Sequence, residues 1–400
     1  SELGIADAIV LLSNNSLFET IKKLEPSCLV LGKEYENNLS DDITSTINFL
    51  TNRKKKIIYH AGDINYASSD LLLNSESQLK IERKKQFIQA LKRQHLTKSD
   101  LINCSNRFKK SKLLVIGDSI VDQYTACEAL GMSAEAPVIV VKELEQKNFI
   151  GGAALVAANV SSLGAHCDFV SVLGNDETAN ELISELKVNN VKHHFVTDKS
   201  RPTTFKKRYM VENQKLFRVS KLEDDMLSKD VEKQIIDILE NLAPSAKGII
   251  VSDFVYGLIT ENILKKLSEL AIKYDLMLFG DLQCSSQVGN VTKFVDYDLL
   301  CPNEKEARIA LQDKESGLEA LTQKLFKKTN STRILMKLGS DGFIAYDNNC
   351  SLKKMNIQSF PALSINPVDV SGAGDSLLSV MAVGLACNKE SMMVSAAIGA

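Results

Sequence analysis

The sequence predicts an α/β protein built on a mainly parallel sheet with helices on both faces. Short apolar runs such as GIIVSD and RILMKLG alternate along the chain with helix-favouring segments such as KDVEKQIIDILENL. This alternation is typical of parallel strands joined by crossover helices. The 400 residues exceed the length of one average domain, so two domains are expected.

The composition indicates an ordinary globular protein, with 44% apolar and 24% charged residues. A formal net charge of −2 gives no reason to expect nucleic acid or an anionic membrane as a partner. The longest apolar stretch, after Asp375, is about a dozen residues and too short to span a bilayer. The eight cysteines are scattered without a C-x-x-C pair, which favours reduced thiols and a cytoplasmic location.

Residues 1–75 predict half of a doubly wound sheet. The runs ADAIVLL, CLVLG and KKIIYH are strand-like, while SLFETIKKL and DDITSTINFL between them are helical, with Ser16 as a cap. Half a sheet cannot bury both of its faces, so more chain is expected before it. The absence of an initiator Met, and an end at SAAIGA that resembles the middle of a helix, also predict a piece of a longer protein.

A basic, helix-favouring segment follows at residues 76–112. It contains ESQLKIERKKQFIQALKRQHL and SNRFKKSK, and its charge suggests a site for an anionic partner. The alternative is a solvated helical linker between two domains. The linker is favoured, because the segment lacks the interleaved aromatic residues of nucleic-acid surfaces.

A second domain is expected over residues 113–400. Its predicted buried strands are LLVIGD, DFVSVLG, GIIVSD, LMLFGD, YDLLCPN and RILMKLG. APVIVVKEL and TTFKKRYMVENQKLFRVS instead alternate polar and apolar positions, as a half-exposed sheet does. They predict a lid formed by about 131–150 and 201–220.

Four of the predicted strands end in a polar residue, namely Asp118, Asp253, Asp281 and Asn303. Open α/β sheets bind ligands at the carboxyl ends of their strands, so these four side chains are expected to converge on one cleft. Each alone is more often a turn former or a helix cap.

The stretch PVDVSGAGDSLLSVMAVGLA places a carboxylate beside a nest of glycine amides. Amides of Gly372, Ala373 and Gly374 at a helix start would stabilise an anion, which Asp375 would repel. Phosphoryl transfer requires both features, because charge develops on the phosphate while a base accepts the proton of the attacking hydroxyl. The alternative is that Asp375 only caps the helix.

Taken together, these motifs resemble the ribokinase-like (PfkB) family of sugar kinases. SGAGDS is similar to the C-terminal signature of that family, GGAALVAANVSSLG to its N-terminal glycine signature, and GDSIVDQY to its opening strand and turn. The resemblance implies a ribokinase-like three-layer α/β/α domain with a small β lid, ending before the family's final segment. It makes Asp375 the catalytic base and Gly372, Ala373 and Gly374 the anion hole.

The resemblance also implies two groups of binding residues. The substrate-binding residues would be Asp122, Gly151, Gly152, Lys206 and Arg208. NEKE and KLGSDG resemble nucleotide-contacting segments, with Asn303, Glu304, Lys305, Glu306, Lys337, Gly339 and Gly342 as the residues involved. ATP and Mg²⁺ are the implied cofactors, with Mg²⁺ held by Glu306 through water and a monovalent cation as a further candidate.

The order of GDSIVDQY, SAEAPVIVV, GGAALVA, VLGND and ENQKLFRVS resembles one subgroup, the D-glycero-β-D-manno-heptose 7-phosphate kinases. The subgroup implies transfer from ATP to O1 of that sugar phosphate, in the formation of ADP-heptose for lipopolysaccharide, by a cytoplasmic homodimer. Lys206 and Arg208 would meet the 7-phosphate, because Arg suits phosphate oxygens; the alternative for both is a solvated strand face.

Residues 3–73 resemble the second half of the Rossmann-like, cytidylyltransferase-like nucleotidyltransferase that is often fused to such kinases. Its catalytic H-x-G-H motif belongs to the first half, and the five histidines of this chain form no such motif. Nucleotidyltransferase activity is therefore not expected from this segment.

Three positions depart from the family pattern. Leu155 replaces an Asn that helps bind the sugar, and Tyr256 and Gln283 stand where the subgroup tends to have Lys. An aliphatic side chain cannot replace the hydrogen bonds of an amide. Two alternatives therefore stay open: a PfkB kinase for another sugar or nucleoside, and a non-catalytic sugar- or nucleotide-binding regulator on the kinase fold.

Overall fold

The computed structural model describes residues 16–32, 41–60, 76–212, 214–284, 287–349, 355–365 and 370–400. The chain divides into two compact units, and the division falls between Ile81 and Glu82. That boundary lies inside the helix Glu76–Arg93. The predicted strand ADAIVLL lies outside the described residues.

The first unit contains a parallel βαβ arrangement. Its elements are α1 (Leu17–Leu24), β1 (Cys28–Gly32), α2 (Asp41–Asn52) and β2 (Lys56–His60), and the two strands pair in parallel. Ser16 caps α1 as predicted, because its hydroxyl accepts a hydrogen bond from the amide of Glu19 at 3.1 Å. These elements confirm the local predictions, while the likeness of this unit to a nucleotidyltransferase stays a prediction.

The strands of the second unit belong to a main sheet and a lid. In chain order they are β3 (Lys112–Gly117), β4 (Ser119–Met132), β5 (Ile139–Gly152), β6 (His166–Leu173), β7 (Lys192–Thr197), β8 (Thr204–Val211), β9 (Gln214–Lys221), β10 (Gly248–Asp253), β11 (Met277–Leu282), β12 (Leu299–Leu300), β13 (Arg333–Lys337), β14 (Phe343–Asp347) and β15 (Asn356–Phe360). Among the described residues, nine strands form the main sheet in the order β15-β14-β13-β12-β11-β10-β3-β6-β7. Strands β13 to β7 of that order are parallel, and β14 and β15 add an antiparallel edge.

Helices cover both faces of the main sheet. They are α3 (Glu76–Arg93), α4 (Lys98–Arg107), α5 (Ala153–Ser162), α6 (Glu177–Val188), α7 (Lys229–Leu242), α8 (Glu261–Tyr274), α9 (Glu304–Leu311), α10 (Leu318–Thr329), α11 (Ala373–Cys387) and α12 (Met392–Gly399). In β3, Leu113 and Val115 face one apolar core, whereas Leu114 and Ile116 face the other, because successive strand residues point to opposite faces. The predicted three-layer α/β/α domain is confirmed. Of the helices described, none has the combined length and apolar character needed to cross a membrane.

The lid is a separate sheet that, in the described residues, has four strands in the order β5-β4-β8-β9. Strands β4 and β5 pair along their whole length as a hairpin, and β8 pairs with β4 in parallel. The lid begins at Ser119 rather than at about residue 131, because β4 continues directly from the end of β3 after Asp118.

The basic segment 76–112 differs from the predicted solvated linker. Ala90 and Phe108 are buried in the core of the second unit, and Phe87 and Leu91 pack against that core. Most of the basic side chains are exposed, as those of Lys84, Lys85 and Lys92 are. A narrow apolar stripe within a strongly charged helix explains why the pattern predicted a helix in solvent.

Candidate active site

Two cavities lie near the carboxyl ends of the main-sheet strands. The first, of about 830 Å³, is lined on its lid side by Asp122, Gly151, Gly152, Lys206 and Arg208, and also by Gly372 and Asp375. We call it the lid cavity. The second, of about 1180 Å³, lies at the start of α9, is lined by Asn303, Glu304, Lys305, Lys337 and Gly339, and is called the helix cavity. The structure thus separates the predicted substrate residues from most of the predicted nucleotide residues.

Asp375 lies in the first turn of α11 and is only 4% exposed. Its Oδ1 accepts a hydrogen bond from the side-chain amide of Gln283 at 2.7 Å. Burial, helped by the negative charge of Asp281, raises the pKa of Asp375 to about 7, although Lys337 and Gln283 oppose the shift. A carboxyl group with that pKa, facing a cavity, can accept a proton near neutral pH.

Gly372 precedes α11 with a φ of 79°, a left-handed conformation that favours glycine. A Cβ atom at this position would lie 2.5 Å from Cδ2 of Leu155, so a side chain here would also require the Leu155 side chain to move. The amide of Ala373 donates to the carbonyl oxygen of Val370 at 3.2 Å. The amide of Ser376 donates to the carbonyl oxygen of Gly372 at 2.9 Å. Of the three predicted anion-hole residues, Gly372 and Gly374 would therefore supply the amides.

Lys337 lies between the two cavities. Its Nζ is 2.8 Å and 3.0 Å from the two carboxylate oxygens of Asp281, and it is 3.3 Å from where a Cβ of residue 374 would be. Burial opposes the positive charge, but Asp281 and Glu306 outweigh it and hold the pKa of Lys337 above its ordinary value. A permanent ammonium therefore lies beside the predicted anion hole.

Asn303 and Glu306 form a capping box at the start of α9. The carbonyl oxygen of the Asn303 side chain accepts from the amide of Glu306 at 2.8 Å, and Oε2 of Glu306 accepts from the amide of Asn303 at 2.8 Å. Burial raises the pKa of Glu306, and this residue lies behind the wall of the helix cavity rather than in it. Its predicted role as a metal ligand through water stays a prediction.

The lid contributes cationic side chains to its cavity. Arg208 pairs with Asp122 and lies 5.2 Å from the ring centroid of Tyr124. Lys206 is only 3% exposed, and its ammonium lies 5.4 Å and 5.2 Å from the rings of Phe254 and Tyr256. The alternative of a solvated strand face is therefore wrong for Lys206, because aromatic faces shield it from water.

The four strand-end polar residues do not all face one cleft. Asn303 lines the helix cavity and Asp281 binds Lys337, but Asp118 and Asp253 turn into the loop after β10. Asp118 accepts from the amides of Phe254 at 2.9 Å and Tyr256 at 3.4 Å. Asp253 accepts from the amide of Val255 at 2.8 Å. These two carboxylates therefore shape the loop that presents Phe254 to the lid cavity.

Several cavity residues were not predicted from the sequence as site residues. Arg218 lines the lid cavity directly opposite Arg208 on the neighbouring strand, and alternation along the lid strands is the signal that could have indicated it. Leu155 and Gln283 also line this cavity, although the sequence marked them only as departures from a family pattern. Four of the predicted residues line neither cavity, namely Glu306, Gly342, Ala373 and Gly374.

Comparison with known proteins agrees with this geometry. A family model described as pfkB family carbohydrate kinase matches residues 110–395. The Bifunctional protein HldE of Campylobacter jejuni subsp. doylei is 33% identical over 285 residues, which cover 70% of this chain and 58% of that protein. The Bifunctional protein HldE of Helicobacter acinonychis is 33% identical over 283 residues, with 70% and 59% covered. The chain thus spans less than two thirds of the length of these relatives.

Solved structures show the same fold at low sequence identity. Phosphofructokinase-2 from Escherichia coli in complex with substrates and products aligns with a TM-score of 0.59 at 18% identity, covering 72% of this chain and 92% of that one. Arabidopsis thaliana ribokinase complexed with ribose and ATP aligns with a TM-score of 0.54 at 20% identity, covering 72% and 90%. With the matched family model and the arrangement of Asp375 and its glycines, the chain belongs to the pfkB family of carbohydrate kinases.

Proposed function

We propose that this protein transfers the γ-phosphoryl group of ATP to a sugar hydroxyl. The observation that supports this most is the position of Asp375, which lines the lid cavity at the first turn of α11 and connects through Gln283 to Asp281 and Lys337. Lys337 lines the other cavity. A base and a buried ammonium thus lie between a cavity suited to a sugar and one suited to a nucleotide.

In this proposal, the lid cavity holds the acceptor with its hydroxyl toward Asp375. The carboxylate takes the hydroxyl proton as the oxygen attacks the phosphorus, and first-turn amides of α11 stabilise the charge on the transferred group. Lys337 adds a fixed positive charge next to Gly374. The side-chain amide of Gln283 orients the carboxylate of Asp375 through a hydrogen bond at 2.7 Å. The same hydrogen bond favours the charged form of that carboxylate.

The nucleotide is assigned to the helix cavity. Lys305 and Arg308 line it. The capping box uses the amides of Asn303 and Glu306. The amides of Glu304 and Lys305 are therefore the ones at the start of α9 that would favour anionic groups. Kinases of this family use ATP and a divalent metal ion. The carboxylate of Glu306 offers oxygen atoms of the kind that Mg²⁺ prefers. Because this residue lies behind the wall of the helix cavity and Oε2 accepts from the amide of Asn303, it would reach the ion only through water. When bound, Mg²⁺ would neutralise charge on the phosphates.

The substrate that we propose is D-glycero-β-D-manno-heptose 7-phosphate, phosphorylated at O1. The curated relatives named HldE support a heptose substrate. The lid cavity adds a cluster of cationic side chains, in which Arg208 and Arg218 face each other across β8 and β9. Guanidinium groups bind phosphate oxygens through charge-assisted hydrogen bonds, so this cluster suits a sugar that carries a phosphate group.

The substrate assignment is tested by steady-state assays of the wild-type protein with ATP and a panel of sugars. We expect kcat/KM for heptose 7-phosphate to exceed that for the unphosphorylated heptose by at least about tenfold, because charge-assisted hydrogen bonds are lost with the phosphate. Equal values for the two sugars would contradict the 7-phosphate site. A protein that binds these sugars but phosphorylates none of them would instead be the non-catalytic regulator.

A second candidate is a PfkB kinase for another sugar or a nucleoside, and Leu155 favours it. This side chain lines the lid cavity in contact with Gly372, where an amide of the family pattern would bind a sugar hydroxyl. An apolar wall there suits a substrate that presents carbon rather than a hydroxyl. In the same panel, faster phosphorylation of an unphosphorylated sugar or a nucleoside would favour this candidate.

The kcat/KM of phosphoryl transfer is expected to increase as the pH rises through about 7. Asp375 accepts a proton only as a carboxylate, and its pKa is raised to about 7, so the inactive acid dominates below that pH. We expect kcat/KM to fall about tenfold per pH unit well below pH 7 and to be level above about pH 8. In Gln283→Met, loss of the hydrogen bond at 2.7 Å should move the midpoint to higher pH. A wild-type profile that is flat from about pH 5.5 to 8.5 would contradict the assignment.

We also propose that the protein forms a homodimer. The lid supports this, because Leu130, Met132 and Ile139 on its hairpin are each more than half exposed. Large apolar side chains grouped on one hairpin are typical of a protein interface.

A further inference from the structure

Helix α3 holds a backbone segment outside the two cavities. Arg83 donates through Nη1 to the carbonyl oxygen of Ala362 at 2.8 Å and also to that of Ser364. One turn along the helix, the ring centroid of Phe87 lies 6.4 Å from that of Phe360. The helix therefore contacts the chain just after β15 through both a guanidinium and an aromatic ring.

Gln94, the residue that follows α3, anchors the start of the same stretch. The side-chain amides of Gln94 and Asn356 exchange two hydrogen bonds, at 3.1 Å and 2.9 Å, and Gln94 also donates to the side chain of Gln358 at 3.3 Å. Residues 356–364 are thus held at one end by Gln94, directly after α3, and at the other by Arg83 on α3. They lead along the chain toward Gly372.

The segment that Arg83 binds lies directly on Gly342. A Cβ atom at Gly342 would lie 2.1 Å from the carbonyl oxygen of Phe360 and 2.6 Å from the amide nitrogen of Ala362. The carbonyl oxygen of Gly342 in turn accepts from the amide of Leu338 at 2.8 Å, and Leu338 and Gly339 line the helix cavity. Two backbone contacts therefore separate Arg83 from the wall of this cavity.

We propose that Arg83 is a positioning residue for nucleotide binding in the helix cavity, which rests on the function proposed above. Nη1 of its planar guanidinium binds the carbonyl oxygens of Ala362 and Ser364, two positions apart, and so restricts the orientation of residues 360–364. Because protein interiors are close-packed, a shift of that segment moves the residues around Gly342 with it. Lys84, the next residue along α3, is exposed and makes no such contact among the described residues.

The proposal is tested by calorimetric titration of the full chain with ATP and, separately, with heptose 7-phosphate. Arg83→Met should weaken ATP binding by about three- to tenfold. The charge-assisted hydrogen bonds of Arg83 hold the segment behind the cavity wall, so part of their free energy contributes to ATP binding. Arg83→Lys should show a smaller loss, since an ammonium keeps the charge without the planar fork. Lys84→Met, which removes a charge from the same helix, should bind ATP like the wild type. Sugar binding should be unchanged in all three variants.

Hydrogen exchange provides the second measurement. Amides of residues 338–342 should exchange faster in Arg83→Met, and ATP should protect residues 338–342 and 360–364 together in the wild type. Unchanged ATP affinity, or equal losses for ATP and sugar, would overturn the role of Arg83. If Arg83→Met does not fold, the ATP affinity of Arg83→Lys and the hydrogen exchange of the wild type with and without ATP test the proposal instead. A wild-type protein that binds no ATP would overturn the proposed function instead.

Discussion

The Asp375→Asn variant is expected to lose about 10²–10⁴-fold in turnover while it binds ATP normally, because general-base catalysis contributes that much. The amide keeps the shape of the carboxylate but accepts no proton at neutral pH. Asp375 lines the lid cavity, whereas the helix cavity has its own residues. The measurements are steady-state kinetics with both substrates varied and a calorimetric titration with ATP.

The matched control is Asp237→Asn, which makes the same chemical change at an exposed position on α7. It should leave both turnover and ATP binding unchanged. If Asp375→Asn kept more than about a third of the wild-type rate, Asp375 would not be the base, because even weak general-base catalysis contributes more. Asp375 would then have only a structural role through its hydrogen bond with Gln283, since Gly372 is the N-cap of α11 and, among the described residues, no side chain caps that helix end.

Lys337→Met is expected to lower the free energy of unfolding by about 3–5 kcal/mol, because it leaves a buried carboxylate without its partner. The side chain of Asp281 is completely buried, that of Lys337 is 14% exposed, and they lie 2.8 Å apart. Urea unfolding of the wild type and the variant measures the loss. Turnover should also fall, because the ammonium beside Gly374 is removed.

A double variant separates stability from catalysis. Lys337→Met combined with Asp281→Asn removes both charges, so it should recover most of the lost stability without recovering turnover. The control is Lys389→Met, which breaks an ion pair with Asp275 of similar length, 3.0 Å, between side chains that are 57% and 90% exposed. It should change stability by less than about 1 kcal/mol. A loss of that small size in Lys337→Met would contradict the buried pair.

The residues nearest the chemistry were predictable because their motif is local. Gly372 and Asp375 are three positions apart, and glycines before an apolar run indicate a helix start that presents amides. The helices Lys229–Leu242 and Glu261–Tyr274 were predictable for a related reason, since their apolar residues repeat at the helical period. The contacts between such motifs were not predictable in this way.

The partners of these residues come from distant parts of the chain. Gln283 is 92 positions from Asp375, and Asp281 is 56 positions from Lys337. Lys206 on the lid lies over rings from the loop after β10. Sequence spacing contains no information on such pairs. The sheet order brings Asp281 and Lys337 together, because only β12 separates β11 from β13.

The basic segment was misinterpreted for a further reason. Charge density along α3 predicted a helix in solvent, but the fate of an amphipathic helix depends on whether a complementary apolar surface exists. Phe87 and Ala90 find such a surface in the core beneath β14 and β15. The same charge density concealed Arg83, whose contacts with Ala362 and Ser364 distinguish it from its exposed basic neighbours.

By itself, the sequence determined the layered α/β fold, the lid, the glycine-lined helix start and the identity of the proposed base. Backbone sterics and side-chain periodicity act over a few residues, and they leave a direct trace in the order of amino acids. The tertiary structure alone decided that Asp118 and Asp253 shape a loop and that Lys337 lies between two cavities. It also decided that Asp375 is buried enough to raise its pKa. These properties depend on burial and on charges brought close by packing, which are set by contacts between residues far apart in the chain.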